Sequence, residues 1–373
     1  MNLHIMTDEK VITHAIENFD CALPNFNRYI IIIPNDGYLC HHVKIESERI
    51  HRLVYNTSEF WEVVGDIKQY QYIIIHFLSK EAISFVRKIN HPRIIWFIWG
   101  ADLYNDILSY KGYPLFEEEV KRSDTFFLSF AKKIWNDKIR RKFELAKHVY
   151  GAIKAIKKIS YYSGCPGDYE LLHTYYPMIG EKKRKLFFYY ALEDIIGQNL
   201  ENIRSVGNDI IIGNSASRSN NHISIIKRLS KLSLATRKVI VPLSYGGNNG
   251  NYIKEKGMDL LGESFLPITE FLPLEQYNKL LYRANVFIYN NYRQEAAGNI
   301  ITALYIGGAV FLNTRNTLYS YFKDMGCVLF SVDELEEKIN YRLSEKEVQN
   351  NRSVLQSNFN KNTLINIIKK NFS

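Results

Sequence analysis

The sequence is poor in the residues that mark several common protein classes. Its 373 residues include only four cysteines, Cys21, Cys40, Cys165 and Cys327, scattered without paired spacing, which excludes a disulfide framework and a zinc site and leaves incidental thiols. No apolar run approaches the roughly 20 residues that a membrane-crossing helix needs. The first 19 residues carry His4, Asp8, Glu9 and Lys10 where a secretory leader requires an unbroken apolar core, so the expected location is cytoplasmic. A GxGxxG dinucleotide fingerprint is missing, which counts against an oxidoreductase. There is neither a DxD motif nor a His or Cys cluster at ligand spacing, so no catalytic metal and no cofactor are expected.

What is present fits a globular protein: 46% apolar and 23% charged residues, over a length that should split into two domains with separate cores. Aromatics reach 14%, with 26 Tyr and 21 Phe, enough to line grooves without implying one. The net charge of +9 is concentrated in one stretch, where Lys132, Lys133, Lys138, Arg140, Arg141, Lys142, Lys147, Lys154, Lys157 and Lys158 interleave with apolar residues such as Trp135, Phe143, Val149 and Ile156. Such a basic amphipathic helix pair can lie on an anionic membrane or meet nucleic acid, although a core-packed helix with a solvated basic face is the plainer reading.

Short β-branched and aromatic runs at Tyr29 to Ile33, Tyr72 to Ile75 and Ile94 to Trp99 predict buried parallel strands. Helical segments at Thr57 to Lys68 and Ser79 to Ile89 separate them, which is βαβ order, and a further strand is expected near Lys158 to Tyr162. The second half repeats the pattern, with strands at Asp209 to Ile212, Lys238 to Leu243, Val286 to Tyr289, Ala309 to Leu312 and Val328 to Phe330, and a helix at Pro273 to Ala284 opened by its proline. The expected fold class is therefore α/β, with two Rossmann-like parallel sheets facing a cleft. The expected domains are residues 1–195 and 208–345, with a linker near Leu192 to Gly207 and a last helix over Val348 to Asn371, residues 346–373, that could cross back to the first domain.

Three polar loops follow strands of the second half. The first lies in Asp209 to His222, DIIIGNSASRSNNH. Gly213 permits close backbone approach, Asn214 and Ser215 follow it, Ser219 or Asn220 can cap the next helix, and Arg218 can grip phosphoryl oxygens with two prongs. A helix N-terminus after such a loop favours a phosphate, although an ordinary strand-to-helix turn reads the same. The second is Ser244-Tyr245-Gly246-Gly247-Asn248-Asn249-Gly250, which a flexible turn also resembles. In the third, Asn290 to Asn299, Arg293, Gln294 and Glu295 precede Gly298 and Asn299 at a helix start, an arrangement that could set Glu295 on a ribose and the Gly298-Asn299 N–H groups on a diphosphate. Convergence of the three favours a nucleotide.

In the first half, Asp102 stands just past a buried strand, placed to accept a proton or bind a hydroxyl, or else to cap the next helix. His76 ends the neighbouring strand and is a second candidate base, against the plainer reading of a satisfied packing residue.

These segments resemble a known family, the 4-acetamido-4,6-dideoxygalactose (Fuc4NAc) transferases of enterobacterial common antigen synthesis, glycosyltransferase family 56. The resemblance rests on IIWFIWGADLY (Ile94 to Tyr104), IIIGNSASRSNNHI (Ile210 to Ile223), KVIVPLSYG with the following NNGNYI, and YRQEAAGNIITALYIGGAVFLN (Tyr292 to Asn313). It implies a GT-B architecture with a nucleotide-sugar donor on the C-terminal domain, to which Gly213, Asn214, Arg218, Arg293 and Gln294 carry over by motif position. It also implies transfer of Fuc4NAc from a dTDP-sugar to an undecaprenyl-diphosphate-linked saccharide, by a protein peripheral to an anionic membrane surface on the cytoplasmic side of the bacterial inner membrane. The resulting expectation is a metal-independent hexosyltransferase with no nucleic-acid partner. Asp102 and His76 would handle the acceptor; Gly213, Asn214, Ser215, Arg218, Tyr245, Arg293, Gln294, Glu295, Gly298 and Asn299 would hold the donor. The rivals are a related transferase with another donor and acceptor, and a non-catalytic two-domain binding protein.

Overall fold

A computed structural model describes residues 1–117, 133–186, 191–197, 200 and 203–373, with side chains throughout except over 133–139 and at Leu274. The chain divides into two compact units. Residues 1–113, 133–194 and 359–373 form the first, and 114–132 and 195–358 the second.

The first unit is built on seven strands: β1 Asn2–Met6, β2 Asn27–Ile33, β3 Ile50–Val54, β4 Tyr72–His76, β5 Ile94–Phe97, β6 Tyr161–Ser163 and β7 Lys183–Arg184. All neighbours are parallel, in the order β3-β2-β1-β4-β5-β6-β7. The apolar runs expected as strands are β2, β4 and β5. Three strands escaped the pattern: the exposed edge strand β7, whose two residues are too short to carry one, and β1 and β3 for reasons of burial and position. β1 reads as broken by Asn2 and His4, yet both are fully buried, because the Asn2 amide donates to Asn27 Oδ1 and the Phe372 carbonyl and because His4 bonds to Asn27 and His76. β3 is an edge strand whose His51 and Arg52 dilute its apolar signal. Helices Ile12–Ala22 and Lys361–Phe372 supply apolar residues to one core of this sheet, with Phe19 edge-on to Phe372 at 5.1 Å. Ser79 caps helix Lys80–Lys88 by accepting from the Ala82 N–H.

The basic stretch is one continuous helix, Lys133–Lys158, rather than a pair, and Lys132 lies outside the described residues. It occupies part of the expected Lys158 to Tyr162 strand, which begins only at Tyr161. The expected last helix is two, Glu345–Phe359 and Lys361–Phe372, broken at Asn360, whose extended backbone and side chain cap the second by accepting from the Thr363 N–H. The first of these belongs to the second unit. The expected linker is partly structured: Leu192 and Ile196 are buried, and Asp194 accepts from the Ala191 N–H, Asn18 and Lys361.

The second sheet has six parallel strands, β8 Asp209–Ile212, β9 Val239–Pro242, β10 Phe265–Ile268, β11 Ala284–Tyr289, β12 Ala309–Leu312 and β13 Phe330–Ser331, ordered β10-β9-β8-β11-β12-β13. β10 was not expected; Pro267 weakens its pattern, and it is tolerated because the strand is at the edge. From β8 the chain runs outward to β9 and β10, then returns to β11 on the other side. The strand order therefore reverses between β8 and β11, and open α/β sheets bind ligands outside the carboxyl ends of the strands at such a point.

Candidate active site

The three loops leave the carboxyl ends of β8, β9 and β11 and are joined to one another. The Gly213 N–H reaches the Ile288 carbonyl at 2.9 Å, extending the sheet by one residue before the chain turns. The turn requires φ +66° at Gly213, and a Cβ there would meet Asn220 Oδ1 at 2.6 Å and His222 Nε2 at 2.8 Å. Asn220 does not cap the helix. Its Oδ1 accepts from the Asn214 N–H and its amide reaches Ser215 and Ser217, so it braces the loop from within. Helix His222–Leu229 is instead preceded by Asn221 in the left-handed conformation, with no side chain on its first N–H groups. The second loop packs on the first through Gly246 (φ +99°), where a Cβ would stand 2.9 Å from Ser215, and through the Ala216 N–H to the Tyr245 carbonyl. Asn214 Nδ2 lies 3.5 Å from the Tyr245 hydroxyl.

The third loop is tied to the first by Glu295. Its Oε2 accepts from Ser219 Oγ at 2.5 Å and Asn291 Nδ2 at 2.9 Å, and pairs with Arg293 Nη2 at 3.0 Å. That oxygen is fully occupied in bracing, so a ribose hydroxyl would have to use Oε1. Ala296, in the left-handed region, then opens helix Ala297–Tyr305 without a side-chain cap, leaving the N–H groups around Gly298 and Asn299 uncapped, while Asn299 donates its amide to Tyr277. Arg218 sits with its guanidinium 5.3 Å from the Phe116 ring, and Glu117 accepts from Asn290 Nδ2 while its own N–H reaches Asn221.

Around this junction, buried polar atoms have no hydrogen-bond partner: Asn214 Oδ1, His222 Nε2, Asn291 Oδ1, Arg293 Nε and Gln294 Oε1. Asn214, Arg293 and Gln294 are each at least nine-tenths buried, and His222 is 2% exposed. Each such group costs about 1–3 kcal/mol when left unpaired, and a fold keeps several together only where something else compensates. His222 is the member that the sequence reading passed over. Burial pushes its imidazole pKa down to about 3, so at neutral pH it is an uncharged ring able to donate one N–H. Its signal was positional: it is the first helical residue after the loop.

In the first unit, Asp102 Oδ2 accepts from the Leu78 N–H at 3.0 Å and the Trp96 indole at 2.7 Å, and its Oδ1 accepts from the Trp99 N–H at 3.0 Å. Burial raises its pKa, with these donors opposing. Asp102 thereby fixes the carboxyl ends of β4 and β5, where Phe77 is held at φ +73° with its ring 5.6 Å from Trp99. His76 is completely buried, stacked on Phe97 at 4.9 Å and bonded to His4 at 3.0 Å. Burial holds its pKa well below the ordinary range. His76 therefore presents no exposed atom, which fits its reading as a packing residue.

The family model of the 4-alpha-L-fucosyltransferases, glycosyl transferase group 56, matches residues 115–363, about two thirds of the chain. The chain belongs to this family. It is a hexosyltransferase of GT-B fold, and the non-catalytic reading is set aside. Solved structures similar to it share the fold at low identity. Sucrose-phosphate synthase from Thermosynechococcus elongatus matches at 10% identity and TM-score 0.64, covering 99% of this chain and 97% of that one. Anabaena HepE, solved with UDP and glucose, matches at 12% and 0.61 over 99% and 98%. A glycosyltransferase from Rickettsia africae matches at 15% and 0.56 over 99% and 97%. Among the described residues of this group 56 chain, no three His, Cys, Asp or Glu side chains gather as metal ligands, and no helix is long and apolar enough to cross a membrane.

Proposed function

We propose that this group 56 transferase moves a deoxy-acetamido sugar, Fuc4NAc-like, from a dTDP-sugar to a polyprenyl-diphosphate-linked saccharide at an anionic membrane surface on the cytoplasmic side of the inner membrane. The observation that carries the donor site is the cluster of unpartnered buried polar atoms at the β8/β11 reversal. The uncapped helix start near Gly298 and Asn299 suits a diphosphate, as does the Arg293 Nε donor, and His222 Nε2 joins them in the tautomer that carries its proton there. Asn214 Oδ1 and Gln294 Oε1 are acceptors and suit hydroxyl or amide groups of the sugar or ribose. Charge develops on the diphosphate as it leaves, and Arg293, with Arg218 on the first loop, would offset it by preorganised donors in a site that excludes water. Asp102 would act as a positioning residue that holds the β4 and β5 ends for the acceptor.

The test is nucleotide release from a panel of dTDP-, UDP- and GDP-sugars without acceptor. Preferential turnover of a dTDP-sugar is expected, and selective turnover of another nucleotide would reassign the donor. Turnover should also survive excess EDTA; complete loss restored by Mg²⁺ or Mn²⁺ would contradict a metal-independent reaction.

A further inference from the structure

The seam between helices Lys80–Lys88 and Lys133–Lys158 holds an open pocket of about 270 Å³, lined by Lys80, Ile83, Ser84, Arg87, Glu144, Lys147, His148 and Gly151. Its charges are unbalanced. Glu144 is already paired with Arg140 at 3.1 Å, and His148 with Asp106 at 3.3 Å, whereas Lys80, Arg87 and Lys147 form no ion pair among the described residues. Lys80 shares the field of Asp106 with His148, and Glu144 is held by Arg140, so Arg87 and Lys147 leave the concavity with an excess of positive charge, an anion site by charge complementarity.

A second observation indicates where the anion resides. Phe143 and Tyr150, one heptad apart on the same helix and flanking Lys147, are 75% and 62% exposed. Lys154 lies over the Tyr150 ring at 4.3 Å. Large aromatics beside basic side chains on one exposed helix face suit the boundary between headgroups and acyl chains, whereas a free anion gains nothing from them.

We propose that this groove binds the phosphate headgroup of an anionic membrane lipid, with Phe143 and Tyr150 entering the interface beside it. The inference rests on the lipid-linked acceptor reading only for the reason the protein visits a membrane, and it needs no particular donor.

The experiment is co-sedimentation of the full chain with vesicles of phosphatidylglycerol in phosphatidylcholine, against phosphatidylcholine alone. A cation near such a surface changes partitioning roughly fivefold, so Arg87→Gln/Lys147→Gln should lose about 25-fold. Phe143→Ser/Tyr150→Ser should also weaken binding, and more so at high salt, where the electrostatic part is screened. Arg141→Gln/Lys142→Gln, outside the groove and not paired with its lining, should lose clearly less than the groove pair. Equal losses from both charge pairs would mean a diffuse field and overturn the site, as would no loss from the groove pair. Competition by millimolar glycerol 3-phosphate that matches the groove variants would instead make the ligand a soluble phosphate ester. Donor hydrolysis unchanged in each variant reports an intact fold, so failure here is separable from failure of the donor reading.

Discussion

The carboxyl edges of the two sheets treat polar groups in opposite ways. At the first edge the buried carboxylates are engaged internally, with only the Thr7 and Ser163 hydroxyls left over among the described residues: Asp102 collects three donors, and the Tyr104 hydroxyl bonds to buried Asp168 at 2.7 Å. At the second edge the loops brace one another through Asn220 and Glu295, and yet Asn214, His222, Arg293 and Gln294 keep polar atoms without partners. The difference teaches that burial of a polar side chain does not by itself mark a site. An internally saturated carboxylate shapes a surface, whereas a braced cluster with leftover donors and acceptors is prepared for a ligand.

The largest effect should come from the residue on which the second edge turns. Gly213→Ala combines a left-handed φ, worth about 1–3 kcal/mol of strain, with contacts that displace Asn220 and His222. Calorimetric titration with dTDP should find binding lost, with a lower melting temperature; ordinary affinity would show that the loop does not hold the nucleotide.

Next, Arg293→Ala should weaken donor binding by about 1.5–3 kcal/mol, the range for hydrogen bonds to charged groups, and Arg218→Ala should act similarly and non-additively if both grip one diphosphate. Glu295→Gln separates the two jobs of Arg293, because it removes the ion pair and leaves the guanidinium in place. Equal affinity losses from Arg293→Ala and Glu295→Gln would reduce Arg293 to a brace.

At the first edge the effect should fall on stability. Asp102→Asn keeps one acceptor oxygen and sets its amide N–H₂ against at least one of the three donors, the Trp99 N–H in the better orientation, costing about 1–3 kcal/mol in denaturant unfolding while nucleotide affinity stays unchanged. Because burial raises the Asp102 pKa above its unfolded value, its titration favours the fold at low pH and that contribution is lost as pH rises through the folded pKa. The variant should lack this dependence. A drop in turnover with stability and acceptor KM intact would promote Asp102 from positioning to chemistry.

How much of this could be read from sequence follows from the same contrast. Strands whose apolar residues run unbroken, such as Ile210 to Ile212 and Ile73 to Ile75, were legible because burial is what their side chains advertise. β1 was not, because Asn2 and His4 look exposed until their partners 23 to 370 residues away are known. The three loops were legible as a set, since glycine and small polar residues after strands follow from backbone geometry. Which side chains brace and which remain available was hidden. Asn220 looked like a cap and Glu295 like a ligand, and only the fold brings Ser219, Asn291 and Arg293 onto one carboxylate oxygen. The break at Asn360 had a local signal, an Asn three residues before Thr363, that the continuous helical pattern outweighed.

The smallest effect is expected at His76. Asn27 donates its amide to the Phe19 and Leu23 carbonyls, so its oxygen accepts the His4 Nε2–H; His4 Nδ1 is then an acceptor, and His76 must donate through Nε2. Both rings are neutral, since burial takes His4 down to about 3 and His76 well below the ordinary value. Groups with depressed folded pKa values stabilise the fold above their unfolded pKa near 6.5, and that stability is lost as pH falls toward the folded values. His76→Gln keeps an N–H for His4 and removes one of these protons. Acid unfolding between pH 6.5 and about 3 should therefore be less steep by up to one proton, with turnover at pH 7 unchanged. A tenfold loss of turnover with unaltered melting would instead bring His76 back as a base and make the first edge reactive rather than structural.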